Sequence, residues 1–368
     1  MKYTPLRHLP SVIWKKRPIQ FTFFVTRRCN ARCPFCFYLN GPVTKTSSPE
    51  LGLDEIRRVA DSLGSLLWLS FSGGEVYLRE DIVEITRVFY ERCRPSIILL
   101  STNALLPETI SERTEEILRS TPKSTVVVKL SLDGDEGVHD RMRGVKGAYA
   151  KVMETYEKLR CLLDGYSNFE LGINTLFSSG NQGSLEPLIE HVKSLDGIKT
   201  HTVSLIRGKG LDEVDMDEYF RVIRILERNL KTGEAGVYRF RGAGLKAAQD
   251  ILQRRLIFEI ATKERWTMPC YAGRLTLVMT EGGDVFPCEA FNQKLGNVRG
   301  CNCDIREIIR SERAKRVRGF IKSGGCLCSH ECYLMMNILF NMRMYPAVLK
   351  EYLALASGRD KFKSNDKK

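Results

Sequence analysis

The sequence reads as an α/β chain in which a partial (β/α)6, TIM-like barrel is followed by a small α+β domain. Three observations carry this. Between residues 19 and 206, six short runs rich in branched and aromatic residues (IQFTFFVT, LLWLSFS, SIILLS, TVVVKLSL, FELGINTLF and THTVSLI) read as strands. The stretches between them, such as DEIRRVADSL, REDIVEITRVFYERC and ETISERTEEILRS, repeat apolar residues every three or four positions and read as helices. Parallel neighbours need a crossover of about a dozen residues, so strand-helix repeats favour a parallel sheet; about eight repeats would close a full barrel, and six leave it open. After Arg207 the alternation gives way to a long helical region near 214–262, and then to LTLVMTEGGDVFPC, where Gly282 and Gly283 suit a tight hairpin turn.

These changes of pattern divide the chain into a basic arm (1–18), the barrel (19–213), a helical connector (214–265), a second domain (266–345) and a basic C-terminal helix and tail (346–368). The last stretch, KFKSNDKK, is expected to be disordered. With 43% hydrophobic and 27% charged residues, the composition is that of a folded, soluble protein. No run of about 18 apolar residues appears, and the N-terminus lacks an apolar core before a small-residue cleavage site. A transmembrane segment and a secretory signal are therefore not expected, and the expected location is cytoplasmic.

Twelve cysteines in 368 residues are sparse for a disulfide scaffold. Without an export signal they read as reduced thiols, available for metal or redox chemistry. Cys93 and Cys161 stand alone in helical patterns and read as small buried hydrophobes. The net charge of +13 is concentrated at the ends: residues 1–28 carry +7 and residues 310–368 carry +8, which leaves −2 between them. Such ends suit an anionic small molecule, a lipid head group at a peripheral membrane contact, or an acidic peptide; a solvated basic terminus accounts for them equally well.

The stretch FVTRRCNARCPFCFY places Cys29, Cys33 and Cys36 on the loop after the first strand, where ligands bind in parallel α/β sheets. Three thiolates spaced C-x3-C-x2-C hold three irons of a cubic cluster, and with no fourth cysteine close by one iron stays open. A closed zinc site would need a fourth ligand that the loop lacks.

With Phe35 before the third cysteine, the pattern resembles the signature of the radical S-adenosylmethionine (radical SAM) enzymes. The resemblance implies a 4Fe-4S cluster on these three cysteines with S-adenosyl-L-methionine on the open iron, and it places Phe35 and Tyr38 among the cofactor contacts. Further stretches are similar to the same family's motifs in chain order. Gly73-Gly74-Glu75 resembles its GGEP stretch, whose glycines would let main chain approach the ligand, with Val76 in place of proline. Thr102-Asn103 resembles its ribose-facing T-N-G, with Ala104 in place of glycine. The stretch SLDG followed by HDRMRG resembles a further motif of the family and implies that Ser131 and Arg143 hold the cofactor carboxylate; read alone, Arg143 is rather a surface ion-pair partner of a nearby acid. Asn174-Thr175 and Arg207-Gly208 end the expected fifth and sixth strands without an assigned role.

The spacing from Cys270 through Gly283 to Cys288, with the later group Cys326, Cys328 and Cys332, resembles the SPASM and twitch extensions of that family. The group is short of a full SPASM set, which implies one auxiliary 4Fe-4S cluster on four of these five cysteines. Cys301 and Cys303 read as a loop pair without metal, His330 as an outer hydrogen-bond partner, and a structural zinc site competes. The implied activity is reductive cleavage of S-adenosylmethionine to a 5'-deoxyadenosyl radical that takes a hydrogen atom from a substrate. That substrate is an anionic small molecule or lipid, or a peptide, and a flavodoxin or ferredoxin supplies the electron. No catalytic acid or base is named. The alternative is a non-catalytic, cysteine-rich zinc module contacting nucleic acid, against which the three-cysteine loop speaks.

Overall fold

The computed structural model describes residues 2–40, 48–207, 210–211, 213–240, 242–264, 268–324, 326 and 328–365, with side chains to residue 357. Strands β1 (Gln20–Thr26), β2 (Trp68–Gly73), β3 (Ile97–Thr102), β4 (Thr125–Ser131), β5 (Phe169–Phe177) and β6 (Ile198–Leu205) lie in order, all parallel. Helices α1 (Leu53–Leu63), α2 (Ile82–Cys93), α3 (Pro107–Ser120), α4 (Glu136–Arg143), α5 (Ala148–Arg160) and α6 (Leu185–Ser194) connect them. The architecture is the open barrel that the repeats imply.

Alternation along each strand separates two faces. Phe21 and Phe23, Leu69 and Phe71, Ile98 and Leu100, and Val126 and Val128 pack into the main apolar core. Their neighbours Thr22, Ser70, Ser101, Lys129, Ser131 and Asn174 occupy the opposite, concave face, with Ser70 level with Thr22 and Ser131 level with Asn174. A parallel sheet covered on both faces is apolar throughout; this one keeps a polar interior. Its floor is closed by Trp68, Ile97 and Val127.

The helical region after β6 is two helices, α7 (Met216–Thr232) and α8 (Ala243–Lys263), rather than one. Gly233, with φ +82°, ends the first in the left-handed conformation that glycine adopts at little cost. The expected hairpin forms as β7 (Thr276–Met279) and β8 (Asp284–Phe286), followed by β9 (Gly296–Asn297). The sequence did not foretell where it docks: β7 pairs in parallel with β1, Phe23 level with Met279, and extends the barrel sheet on the side away from β6. That pairing covers a strand edge that would otherwise be exposed.

Helices α9 (Ile305–Arg310), α10 (Glu312–Lys322), α11 (Glu331–Leu339) and α12 (Tyr345–Asn365) complete the chain. Met335 and Met336 of α11 join the barrel floor. Residues 361–365, expected to be disordered, continue α12, and 366–368 lie outside the described residues. Among the described residues no helix is long and apolar enough to cross a membrane.

Candidate metal and cofactor centre

Three loop sulfurs sit at the carboxyl end of the barrel, and each already faces an N–H donor. Asn103 Nδ2 lies 3.6 Å from Cys29 Sγ, Arg143 Nη1 lies 3.8 Å from Cys33 Sγ, and the Leu39 amide lies 3.3 Å from Cys36 Sγ. Burial raises the pKa of Cys29 and Cys33, and each is raised further by Cys36, so the three thiols share one electrostatic neighbourhood. A positive metal centre would offset that repulsion and bind the thiolates.

The β2 and β3 ends position this loop. Gly74 donates to Thr26 O at 2.8 Å and Glu75 donates to Arg28 O at 2.8 Å. A Cβ on Gly74 would fall 2.1 Å from Arg28 O. The expectation that these glycines make room for a ligand is thus modified: Gly74 makes room for the cysteine loop itself, and Gly73, with φ +117°, does so beside Thr26. Glu75 is buried, and both its carboxylate oxygens are engaged by protein: Oε1 accepts from Thr102 Oγ1 (2.8 Å) and Tyr77 N (3.2 Å), and Oε2 accepts from Asn103 N (2.7 Å). Burial, the largest cause, raises its pKa to about 7 against those donors. Thr102 also accepts from Ala104 N at 3.0 Å, so its side chain is spent on the strand ends rather than offered to a ribose. Asn103 spans Cys29 and Asn30 Oδ1, the latter at 2.7 Å.

At the β4 end, Ser131 faces the concave side, and Arg143 pairs with Asp133, Nη2 to Oδ2 at 2.5 Å, with side chains 10% and 0% exposed. Arg143 is thus ion-paired, but in the interior rather than at the surface; its guanidinium also reaches Cys33, lies 5.7 Å from the Phe35 ring centroid and leaves Nε buried without a partner. The HDRMRG stretch is the scaffold for this. His139 Nδ1 accepts from Asp133 N at 3.1 Å, and Asp140 accepts from Gly147 N and Tyr149 N. Arg32 N donates to Arg143 O at 2.8 Å, and a Cβ on Gly144 would stand 2.6 Å from Arg32 O, so the glycine admits the cysteine loop. Asp133, the aspartate of SLDG, is a site residue that the sequence alone did not single out; its burial and the Leu176 N–H on Oδ1 (2.9 Å) make it the anchor of Arg143.

Other expectations shift. Tyr38 is buried, with its hydroxyl bonded to Glu281 and its ring 4.5 Å from that of Phe24, so its side chain belongs to the core. Asn174 and Thr175 lie inside β5, which runs on to Phe177, and Gly208 lies outside the described residues. Cys93 is buried as expected, whereas Cys161, just past the α5 end, is exposed and bonds its thiol to Glu157 O.

The second set of cysteines divides. Cys288 is raised by Cys328 and Cys270, Cys328 by Cys270 and Cys326, and Cys326 by Cys270, each after the larger effect of burial. Cys332, whose pKa is pushed up to about 12, chiefly by burial, lies near Glu289 and Glu331, and it shares Arg207 with Cys328 and Tyr333 with Cys288. Cys288 Sγ faces Phe291 N at 3.2 Å and Cys328 Sγ faces His330 N at 3.3 Å; His330 itself bonds Glu289 at 3.0 Å. Cys301 and Cys303 stand apart, the former bonded to the backbone of its own turn. Zinc sets thiolates about 2.3 Å from one ion, and among the described residues no three His, Cys, Asp or Glu side chains converge in that way. N–H donors face the three loop sulfurs and, in the second group, Cys288 and Cys328; such donors would tune a thiolate-ligated cluster bound there.

An open parallel barrel with three cysteines at its first strand end is an arrangement whose thiolates could hold a metal centre. Residues 23–176 match the Radical SAM superfamily. The chain is similar to the subtilosin biosynthesis protein AlbA of Bacillus subtilis, 24% identical over 76% of this chain and 57% of that protein. It is also similar to the PqqA peptide cyclase of Rhodopseudomonas palustris, 26% identical over 84% of this chain and 82% of that protein. In fold it matches Streptococcus suis SuiB bound to the precursor peptide SuiA, with a TM-score of 0.58 and 17% identity over 92% of this chain and 77% of that one.

Proposed function

We propose that the chain is a radical SAM enzyme that modifies a peptide. Cys29, Cys33 and Cys36 hold a 4Fe-4S cluster, and Cys270, Cys288, Cys326 and Cys328 hold one auxiliary cluster. The observation that carries the reading is the convergence of donors from separate elements, Asn103, Arg143 and the Leu39 amide, on the three loop sulfurs. Bound there, the cluster and S-adenosylmethionine supply a carbon-centred radical able to remove a hydrogen atom. The chain's own residues orient and shield. Arg143, fixed by Asp133 and with Nε unspent, meets the cofactor carboxylate beside Ser131. Trp68, Ile97, Val127, Met335 and Met336 close the floor against water. The polar concave face receives the substrate.

The names of the two curated relatives, a bacteriocin biosynthesis protein and a peptide cyclase, support a peptide as that substrate. A reduced flavodoxin or ferredoxin is the proposed electron donor. The test is anaerobic: protein, reductant and S-adenosylmethionine should yield 5'-deoxyadenosine, and Cys29→Ala should yield none. Undiminished product from Cys29→Ala, or zinc in place of iron, refutes the reading.

A further inference from the structure

Deep in the polar face lie two cations, Lys129 and Arg254, that form no ion pair among the described residues. Lys129, on β4 one layer below Ser131, donates to the Thr202 hydroxyl of β6. Arg254 of α8 reaches the β6 edge, where Nη2 donates to His201 O at 3.3 Å and Nη1 is buried without a partner. Among the described residues no carboxylate lies within ion-pair distance of either. Asp250 is taken by Lys246, and Arg207 holds Oε2 of Glu331 at 2.8 Å. The second Glu331 oxygen, Oε1, is in turn buried without a partner. Burial lowers the Lys129 pKa to about 8 against the fields of Asp250, Cys332 and Glu331, with Arg254 adding to the fall, so these groups form one cluster. Buried charges that lack partners in the free protein oppose folding, and sites that retain them do so for a ligand that completes them.

We infer that Lys129 and Arg254 form a carboxylate-binding subsite of the substrate chamber, and that it takes the acidic side chain of a peptide. Two cations and a hydroxyl match a carboxylate, which accepts from all three. The free Glu331 oxygen asks for the opposite, an N–H donor, and would repel a more highly charged anion such as phosphate. An acidic residue within a peptide carries both groups a short distance apart. The word peptide rests on the function proposed above, whereas the carboxylate preference rests on the cations alone.

The experiment uses the full chain with its clusters reconstituted and measures calorimetric binding of N-acetylglutamate α-amide, its glutamine counterpart and glutarate. The glutamate amide should bind at least tenfold tighter than either of the others. Lys129→Met and Arg254→Gln should each lose at least tenfold in affinity, and Lys129→Met without ligand should melt no lower than the parent. Equal binding of the glutamate and glutamine amides, no binding of either, or unchanged affinity in both variants overturns the subsite. A lower melting temperature for Lys129→Met overturns it too, since it would mean that the bound clusters already serve as the counter-charge. Glutarate binding as tightly as the glutamate amide overturns the peptide part. The parent is assayed in parallel for 5'-deoxyadenosine from reductant and S-adenosylmethionine. Its formation alongside failed glutamate binding refutes the subsite and leaves the radical SAM reading standing; its absence refutes that reading whatever the amides do.

Discussion

Replacing Arg143 by Gln tests the centre where stability and chemistry meet. Its partner Asp133 is wholly buried, so the variant strands a carboxylate that only Leu176 N still serves. Removing one member of a buried pair costs about 3–5 kcal/mol. The 10% and 0% exposure of this pair leaves little solvent screening to reduce that figure. Arg143→Gln should therefore lose about 3–5 kcal/mol in urea unfolding, and adding Asp133→Asn should restore most of it by removing the stranded charge. Once refolded, the double variant isolates the cofactor role. If the guanidinium binds the S-adenosylmethionine carboxylate, calorimetry of the cluster-loaded protein should show affinity reduced by about 1.5–3 kcal/mol, the usual contribution of a hydrogen bond to a charged group. A single variant within about 0.5 kcal/mol of the parent refutes the closed ion pair. A stable double variant that binds cofactor as the parent does refutes the cofactor contact and leaves Arg143 a structural residue.

Arg299 grips Glu55 of α1 through two bonds, 2.6 and 2.9 Å, and is the first cause holding that carboxyl down at about 2 from 4.5. That shift caps the pair at about 3.4 kcal/mol, but side chains 30% and 23% exposed reduce it to about 1 kcal/mol in a Glu55→Gln/Arg299→Met cycle. Because the folded pKa is the lower one, the coupling should be present above pH 4.5 and fade as pH falls toward about 2 in urea titrations of the cluster-free chain; a coupling that persists at pH 2 contradicts this. Ala104 holds φ +63°, so Ala104→Gly should gain about 0.5 kcal/mol in thermal unfolding by relieving the left-handed strain, and a loss above about 1 kcal/mol would contradict it. Iron analysis should find about eight irons in the parent and about four in Cys328→Ser, with Cys332→Ser unchanged; a loss of iron from Cys332→Ser would return that residue to the auxiliary ligands.

The strands, the helices and the order of the strand-end motifs were legible because each is a local pattern: a short run of branched and aromatic residues, a period near four, or a loop of fixed spacing. FELGINTLF coincides with β5 from Phe169 to Phe177. The docking of β7 beside β1 was not legible, since it depends on contact between segments some 250 residues apart, with Phe23 meeting Met279. The polar concave face leaves its mark in FTFF and LSFS, where a parallel sheet covered on both sides would be apolar throughout. At the site, spacing set Cys29, Cys33 and Cys36 on one loop and the family resemblance pointed to Arg143, but neither gave a sign that Glu75, Thr102 and Tyr38 spend their polar atoms on the protein, because hydrogen-bond partners are set in three dimensions. Asp133 carried a sequence signal within SLDG, yet nothing local says that an aspartate will be buried under an arginine.

The bonds that hold the strand ends also place the cysteine loop. Glu75 joins β2 to β3 through Thr102 and Asn103, and the same Asn103 touches Cys29. Asp133 joins β4 to β5 through Leu176 N, and its partner Arg143 touches Cys33. The helix-facing side of the sheet carries the apolar core, so the concave face is free to hold polar and charged groups that contribute little to folding. A site built in this way is rigid where atoms must be held within a few tenths of an ångström and variable where a substrate is chosen. Substitutions at Glu75, Asp133 or Arg143 should accordingly disturb folding and cofactor binding together, whereas changes at Lys129 or Arg254 should alter which substrate is accepted while the cysteine loop keeps its shape.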